Sequence, residues 1–295
     1  MASEFVFEYD PTDFSIDLCV FCGQVFRWKR AGERHWLGVD GSNWFDVQEL
    51  SASRLAVKSS GSRAHFESLF RFDWDGPSLR EKMLNDGPEL GLYIAQFPGL
   101  RLMRPSSSVE TLFSFLCTPN NHLTRITAMI DRLGAFGSSF PSRPELFEFP
   151  TLEVIAAIPE AELRSAGFGY RGATIPKAAQ EIIRRGGSTY LESLRRLSYE
   201  EAHETLCQIP GIGPKLSDCI ALYALDHTSA VPIDTHIWQA ATRIYFPEWQ
   251  GTTLTQTKYR AVSQLMRDRF GALAGWSHQY LFFENLMNWR SRKAV

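Results

Sequence analysis

The run Leu206-Cys207-Gln208-Ile209-Pro210-Gly211-Ile212-Gly213-Pro214-Lys215 sets the tightest limit on what this chain can fold into. Apolar residues at helical spacing lead into it from Ser198-x-x-Glu201, a pair that fits a capping box, and helical spacing resumes at Leu216. Two prolines and two glycines from Pro210 to Pro214 stop one helix and start the next with no room for extended chain, which predicts a tight helical hairpin at about 198–226. Gly211 and Gly213 permit positive φ and close backbone approach, and amides at the start of the second helix are then free to face an anion such as a phosphate. An ordinary helix-turn-helix corner with a glycine C-cap would use the same residues.

The hairpin sits in a chain of two characters. Short runs rich in aromatic and β-branched residues (Val25–Trp28, His35–Val39, Trp44–Val47, Leu55–Val57) alternate between Phe14 and about Ser60, separated by turn residues, and read as a β-meander. After Trp74 the spacing turns helical. Helices are predicted near 108–117, 121–135, 151–157, 160–165, 173–185, 198–208, 214–226, 235–245, 255–270 and 275–288, with Ser107-x-x-Glu110 as a second capping box. The fold class is therefore α+β: an N-terminal antiparallel, twisted β-sheet domain with helices over 1–105, then an all-α body over 106–295.

At 295 residues, 44% apolar and 22% charged, the chain has enough to build a core and is not disordered. Five cysteines are too few and too scattered for a disulfide framework, and no signal peptide precedes them, so an intracellular, reducing compartment is expected. Cys19-x-x-Cys22 has no second pair to complete a zinc site. No apolar stretch is long enough to span a membrane; Phe270–Phe283 reads as a buried helix. The net charge of −2 hides five acidic residues and no Lys or Arg among the first 18, so the remainder is net positive. That permits a nucleic-acid partner without requiring one.

Lys215 falls in the first turn of the second hairpin helix, where the positive end of the helix dipole disfavours an ammonium ion. Cys219, at i+4, shares its face, so thiol and amine can pair; a solvated lysine and a small core cysteine are the plainer alternatives. Asp234 follows in Val231-Pro232-Ile233-Asp234-Thr235-His236, at the N-cap of another helix. A carboxylate there can cap its helix and also face a cation developing on a sugar ring as a glycosidic bond breaks. His236 can donate to a phosphate or fill the first turn.

These residues resemble the helix-hairpin-helix (HhH-GPD) DNA glycosylase superfamily, and the wider sequence resembles its 8-oxoguanine DNA glycosylase/AP lyase branch. Beyond the hairpin, the likeness rests on Gly23-Gln24-Val25-Phe26-Arg27-Trp28, on Leu112 to Ile126 with Asn120-Asn121-His122, on Gly167 to Arg171, and on Ala274 to Phe282.

The resemblance implies a base excision enzyme that flips an oxidised guanine out of double-stranded DNA, opposite cytosine, and acts as a monomer without a required cofactor or iron–sulfur cluster. It makes Lys215 the nucleophile that attacks C1′ and forms a Schiff base, with Asp234 as its electrostatic partner. It assigns lesion-base recognition to the Gly23 carbonyl, Cys219, His278 and Phe282, and the wedge and opposite base to Asn120, Arg125, Tyr170 and Arg171. DNA phosphate contacts fall to Gly211, Gly213 and His236. The backbone carbonyls of Cys207, Ile209 and Ile212 would hold a structural cation.

Two positions depart from the family pattern. His278 stands where a glutamine usually reads the base edge, and Gln279 is turned about 100° away on a helix. An imidazole there would make recognition depend on pH. His122 replaces a third asparagine, which bears on opposite-base stringency. The competing functions are a related glycosylase for another lesion, against which the lack of any cysteine after Cys219 speaks, and a noncatalytic hairpin protein that only grips DNA.

Overall fold

The computed structural model describes residues 2–293, with side chains to Asn288. Five antiparallel strands, β1 (Ser3–Glu8), β2 (Trp28–Gly32), β3 (His35–Asp40), β4 (Asn43–Ser51) and β5 (Arg54–Ser59), form one sheet in the order β1-β5-β4-β3-β2. The last three match the expected meander. β1 was not foreseen: its acidic residues mask the inward Phe7, which packs under the sheet with Phe14, Phe66 and Phe70. The expected Val25–Trp28 strand begins only at Trp28, because Gly23 has φ 85° and the residues after it form a loop. Trp28 pairs with Gly38, where any Cβ would lie 2.1 Å from the indole, so the glycine opens the space for the ring.

The segment from Ile16 to Val20, read as part of the meander, is a short helix because the Ser15 side chain caps it by accepting from the Leu18 amide. All ten expected helices are present. The helix expected from 121 starts at Leu123, where His122 caps it: its Nδ1 accepts from the Arg125 amide at 3.4 Å. The body adds an unforeseen helix at Gly187–Ser193, and it departs from all-α in a hairpin of β6 (Ser139–Phe140) and β7 (Arg143–Phe147). No helix among the described residues is long and apolar enough to cross a membrane.

The stretch 1–105 does not pack as one unit. Met83, Leu90, Ile94, Phe97 and Leu102 join the core of the body, and Phe97 meets Phe283 of the last helix (Ala274–Lys293) at 4.8 Å between ring centres. Arg101, 1% exposed, ties the two parts by donating to the Phe70, Arg71 and Trp74 carbonyls and to Asp13. Gln24 donates to the Arg101 carbonyl and accepts from the Met103 amide, both at 2.9 Å, and so ties the Cys22-Gly23 loop to this segment at the wall of the body, where the last helix and the hairpin also arrive.

Only one capping box closes. At Ser198 both bonds form; at Ser107 the hydroxyl accepts from the Glu110 amide (3.1 Å), but the Glu110 carboxylate turns to Arg27 (3.3 Å) and the Gly41 amide (3.0 Å). Burial pushes the Glu110 carboxyl from 4.5 up to about 7, against the pull of Arg27. Across that window the folded protein keeps a proton that the unfolded chain has released, so stability falls as the pH rises. Urea midpoints measured at pH 5 and pH 8 should therefore drop in the wild type, by up to about 3 kcal/mol in unfolding free energy, and drop less in Glu110→Gln.

Candidate active site

The hairpin forms as its sequence demands. Tyr199–Leu206 ends at Cys207, the Ile212 amide closes the turn on the Ile209 carbonyl at 3.0 Å, and Pro214–Ala224 begins with Gly213 as N-cap. Gly211 takes φ 85°, and a Cβ there would meet Thr174 at 2.3 Å; at Gly213 nothing lies within 4 Å, so its backbone is open. Both glycines are exposed, as an anion-facing turn requires.

One cavity of about 580 Å³ gathers the side chains of the candidate site, a size suited to a small-molecule group. Lys215, Cys219, Asp234 and His236 line one part of it, and Gly23, His278 and Phe282 another. The hairpin helix supplies the first two, the Thr235–Ile244 helix and its cap the next two, and the last helix places His278 and Phe282 one turn apart.

Lys215 is half-buried, and its Nζ donates to Thr118 Oγ1 at 3.4 Å. Asp234 Oδ1 accepts from the amides of His236 and Ile237, both at 2.9 Å, so the carboxylate is fixed by its own helix. Cys219 beside them is not a thiolate. Burial pushes its thiol up to about 11; Lys215 pulls it down, and Asp218 and Asp234 push it further up. The expected thiol–amine pair is therefore a contact of neutral sulfur with the amine, without an ion pair.

His278 is 4% exposed and its ring lies nearly parallel to Phe282, 15° apart at 6.1 Å. Burial pushes the imidazole down to about 4, although Asp234 and the Pro232 carbonyl favour the charged form. It stays neutral at physiological pH, which removes the pH-dependent recognition expected from the sequence. Its Nδ1 is buried without a hydrogen-bond partner among the described residues. Gln279 does face away: it accepts from the Tyr223 hydroxyl at 2.7 Å and donates to the Cys22 carbonyl at 3.4 Å, bracing the loop that carries Gly23. A Cβ on Gly23 would sit 3.4 Å from Phe282, so the gap between loop and ring is set by the missing side chain.

His236 Nδ1 pairs with Asn285 Oδ1 at 3.0 Å, and its ring stands edge-on to Phe282. Asn120, Arg125, Tyr170 and Arg171 lie outside the cavity, Asn120 and Tyr170 in the turns that lead into two helices and Arg125 and Arg171 in the first turns of those helices, Leu123–Gly134 and Arg171–Arg185. Asn120 is exposed with φ 49°, and Tyr170 is 55% exposed. Arg125 donates to the Gly167 carbonyl at 3.2 Å. Arg171, by contrast, is only 4% exposed, with its guanidinium turned onto the Leu116 and Pro119 carbonyls.

Several contributors were not read from the sequence. Tyr223 stacks on Phe115 (5.3 Å, 8°) and both line the cavity; its i+4 spacing from Cys219 was a usable signal. Thr118 had none, since its contact with Lys215 spans 97 positions.

A family model described as HhH-GPD superfamily base excision DNA repair protein matches residues 113–264, and one described as 8-oxoguanine DNA glycosylase, N-terminal domain, matches residues 6–112. The chain is similar to the N-glycosylase/DNA lyase OGG1 of Arabidopsis thaliana, 34% identical over 286 residues, 93% of this chain and 78% of that protein. Its fold is similar to that of MBOgg1 in complex with a low-affinity DNA ligand, with a TM-score of 0.85 at 24% identity over 97% of this chain and 96% of that one. It is also similar to the Clostridium acetobutylicum 8-oxoguanine glycosylase/lyase solved with double-stranded DNA containing cytosine opposite 8-oxoG, with a TM-score of 0.83 at 23% identity over 98% of both chains.

Proposed function

The chain belongs to the HhH-GPD superfamily of base excision DNA repair proteins, and from that premise we propose that it is a bifunctional DNA glycosylase and AP lyase. Its substrate is 8-oxoguanine in double-stranded DNA, opposite cytosine. The observation that carries this reading is the placement of a half-buried primary amine and a cap-fixed carboxylate on the wall of one base-sized cavity.

A base in the duplex cannot reach such a cavity unless its nucleotide is everted, at a cost of a few kcal/mol that contacts within the site offset. The exposed Asn120 and Tyr170 fill the vacated stack, and the everted purine enters between Phe282 and the hairpin helix. The Gly23 carbonyl accepts the N7 proton that 8-oxoguanine has and guanine lacks; a buried carbonyl left unpaired by guanine supplies the discrimination. The orphaned His278 Nδ1 finds its partner on the same base.

The chemistry needs a neutral amine. Lys215 Nζ attacks C1′ as the C1′–N9 bond breaks; the purine leaves with that bond's electron pair, and the proton released by the amine balances the charge. Positive charge grows on the sugar as the bond lengthens, and the Asp234 carboxylate stabilises it without moving. The ring then opens: the Nζ lone pair forms the C=N bond as C1′–O4′ breaks, O4′ takes that electron pair and a proton, and a protonated Schiff base links Nζ and C1′. Loss of a C2′ proton expels the 3′ phosphate and cuts the strand.

Gly211, Gly213 and His236 hold the flanking phosphates. The Ile209 carbonyl already accepts one amide, leaving its second lone pair for a cation shared with the Cys207 and Ile212 carbonyls. Such an ion would fasten the turn to the DNA backbone.

Borohydride reduction in the presence of a duplex carrying 8-oxoguanine opposite cytosine should trap a covalent protein–DNA adduct, and a panel of opposite bases should give cytosine the fastest excision. No adduct with this duplex, alongside an adduct with an oxidised pyrimidine, would favour a related glycosylase for another lesion. DNA binding with no adduct on any lesion would favour the noncatalytic reading.

A further inference from the structure

We propose that Thr118 is a positioning residue for the Lys215 amine, and that Arg171 couples it to the wedge by clamping the loop that carries both Thr118 and Asn120. The proposal rests on the reading of Lys215 as nucleophile and adds two roles that the family resemblance does not supply. That resemblance puts Arg171 on the opposite base, whereas in the structure its guanidinium is buried.

The loop follows the Ser108–Leu116 helix. Arg171 donates from Nε to the Leu116 carbonyl at 3.2 Å and from Nη2 to the Pro119 carbonyl, so one rigid fork spans the start and the middle of the loop. A cation on the last helical carbonyl also complements the helix dipole. Asn121 Nδ2 closes the far side by donating to the Cys117 carbonyl at 3.1 Å. Between these ties Asn120 takes φ 49°, a left-handed conformation that asparagine adopts more readily than other non-glycine residues. The Tyr170 ring covers the guanidinium at 4.6 Å, so one arginine touches Tyr170 and the Pro119 carbonyl next to Asn120.

Thr118 lines the cavity together with Asn121 and His122, and it is the one of the three whose side chain meets the Lys215 amine. Its hydroxyl donates to the Phe115 carbonyl at 2.8 Å, which commits its one proton and leaves only lone pairs for Lys215 Nζ. The direction of the second bond is therefore fixed: the amine donates a proton to Thr118. A neutral amine held by one of its N–H bonds points its lone pair elsewhere, and the cavity is the open side. Because Thr118 and Asn120 are two residues apart in a clamped loop, insertion of the wedge into DNA and alignment of the nucleophile are one movement.

The test separates binding from chemistry in the full-length chain. Single-turnover excision of 8-oxoguanine and affinity for a duplex bearing a 2′-fluoro, uncleavable 8-oxoguanine nucleotide are measured for wild type, Thr118→Val, Thr118→Ser and Arg171→Gln. Thr118→Val should excise about tenfold or more slowly at unchanged affinity, and Thr118→Ser, which keeps the hydroxyl, should recover most of the rate. Arg171→Gln should weaken eversion, read by 2-aminopurine fluorescence beside the lesion, and slow excision without altering the preference for cytosine over adenine opposite. Wild-type excision by Thr118→Val, no recovery in Thr118→Ser, or a shifted cytosine preference in Arg171→Gln would each overturn the proposal. If Arg171→Gln does not fold, the threonine pair decides. Absence of any borohydride adduct with the wild type removes the underlying reading instead, and is seen before a variant is made.

Discussion

Lys215→Gln should give no borohydride adduct with a duplex carrying 8-oxoguanine, and its excision rate should fall by a factor on the order of 10⁴ or more. The substitution is gentle to the fold. Glutamine and lysine have similar helix propensities, the residue is half-buried in the first turn of the Pro214–Ala224 helix, and the glutamine amide can still donate toward Thr118. What it removes is the one lysine amine on the cavity wall among the described residues, and so the nitrogen placed to form an imine there. Cys219 cannot take over, because a thiol pushed up to about 11 is almost entirely protonated at neutral pH, and a sulfur adduct at C1′ would not be reduced by borohydride. A persistent adduct in Lys215→Gln would mean that another amine reaches the sugar, and the assignment of the site would have to move with it.

How much of this could be read in advance follows from the range of each interaction. The hairpin, Lys215 and the Asp234 cap are written in residues a few positions apart, where proline, glycine and capping chemistry act locally, and their places follow directly. Residues 76–102 gave a correct helical signal but not the surface on which they pack. Their apolar faces pack on the last helix, nearly two hundred residues downstream, and no local pattern encodes that choice. β1 was lost for a similar reason, since it exists only because β5 pairs with it.

Within the site the divide is the same. That His278 and Phe282 share one face of the last helix was legible, and both line the cavity; that the imidazole is neutral was not, because its protonation is decided by burial and by Asp234, Pro232 and Lys215 converging from other segments. Arg171 was visible as an arginine beside Tyr170. Its engagement with the Leu116 and Pro119 carbonyls could only come from coordinates.

The second large effect is expected at Asp234, to which the proposed mechanism gives two duties, cap and charge, that two substitutions can separate. Both cap bonds fall on Oδ1, so the cap needs one oxygen and no charge. Asp234→Asn keeps that oxygen and should leave the Thr235–Ile244 helix intact, with stability within about 1 kcal/mol of wild type, because asparagine caps as well as aspartate. It removes the negative charge that faces the sugar as the glycosidic bond breaks. Loss of one preorganised electrostatic contact of this kind costs about 10²–10³ in rate, so excision should fall by that factor while lesion binding is retained. Asp234→Ala removes charge and cap together. It should match the asparagine variant in rate and add about 1 kcal/mol of destabilisation. His278 does not blur the comparison: Asp234 favours its charged form, so losing the carboxylate drives an already neutral ring further toward neutrality. If Asp234→Asn excises at the wild-type rate, the carboxylate is a cap alone, and the cation that develops on the sugar must be stabilised by the departing base itself.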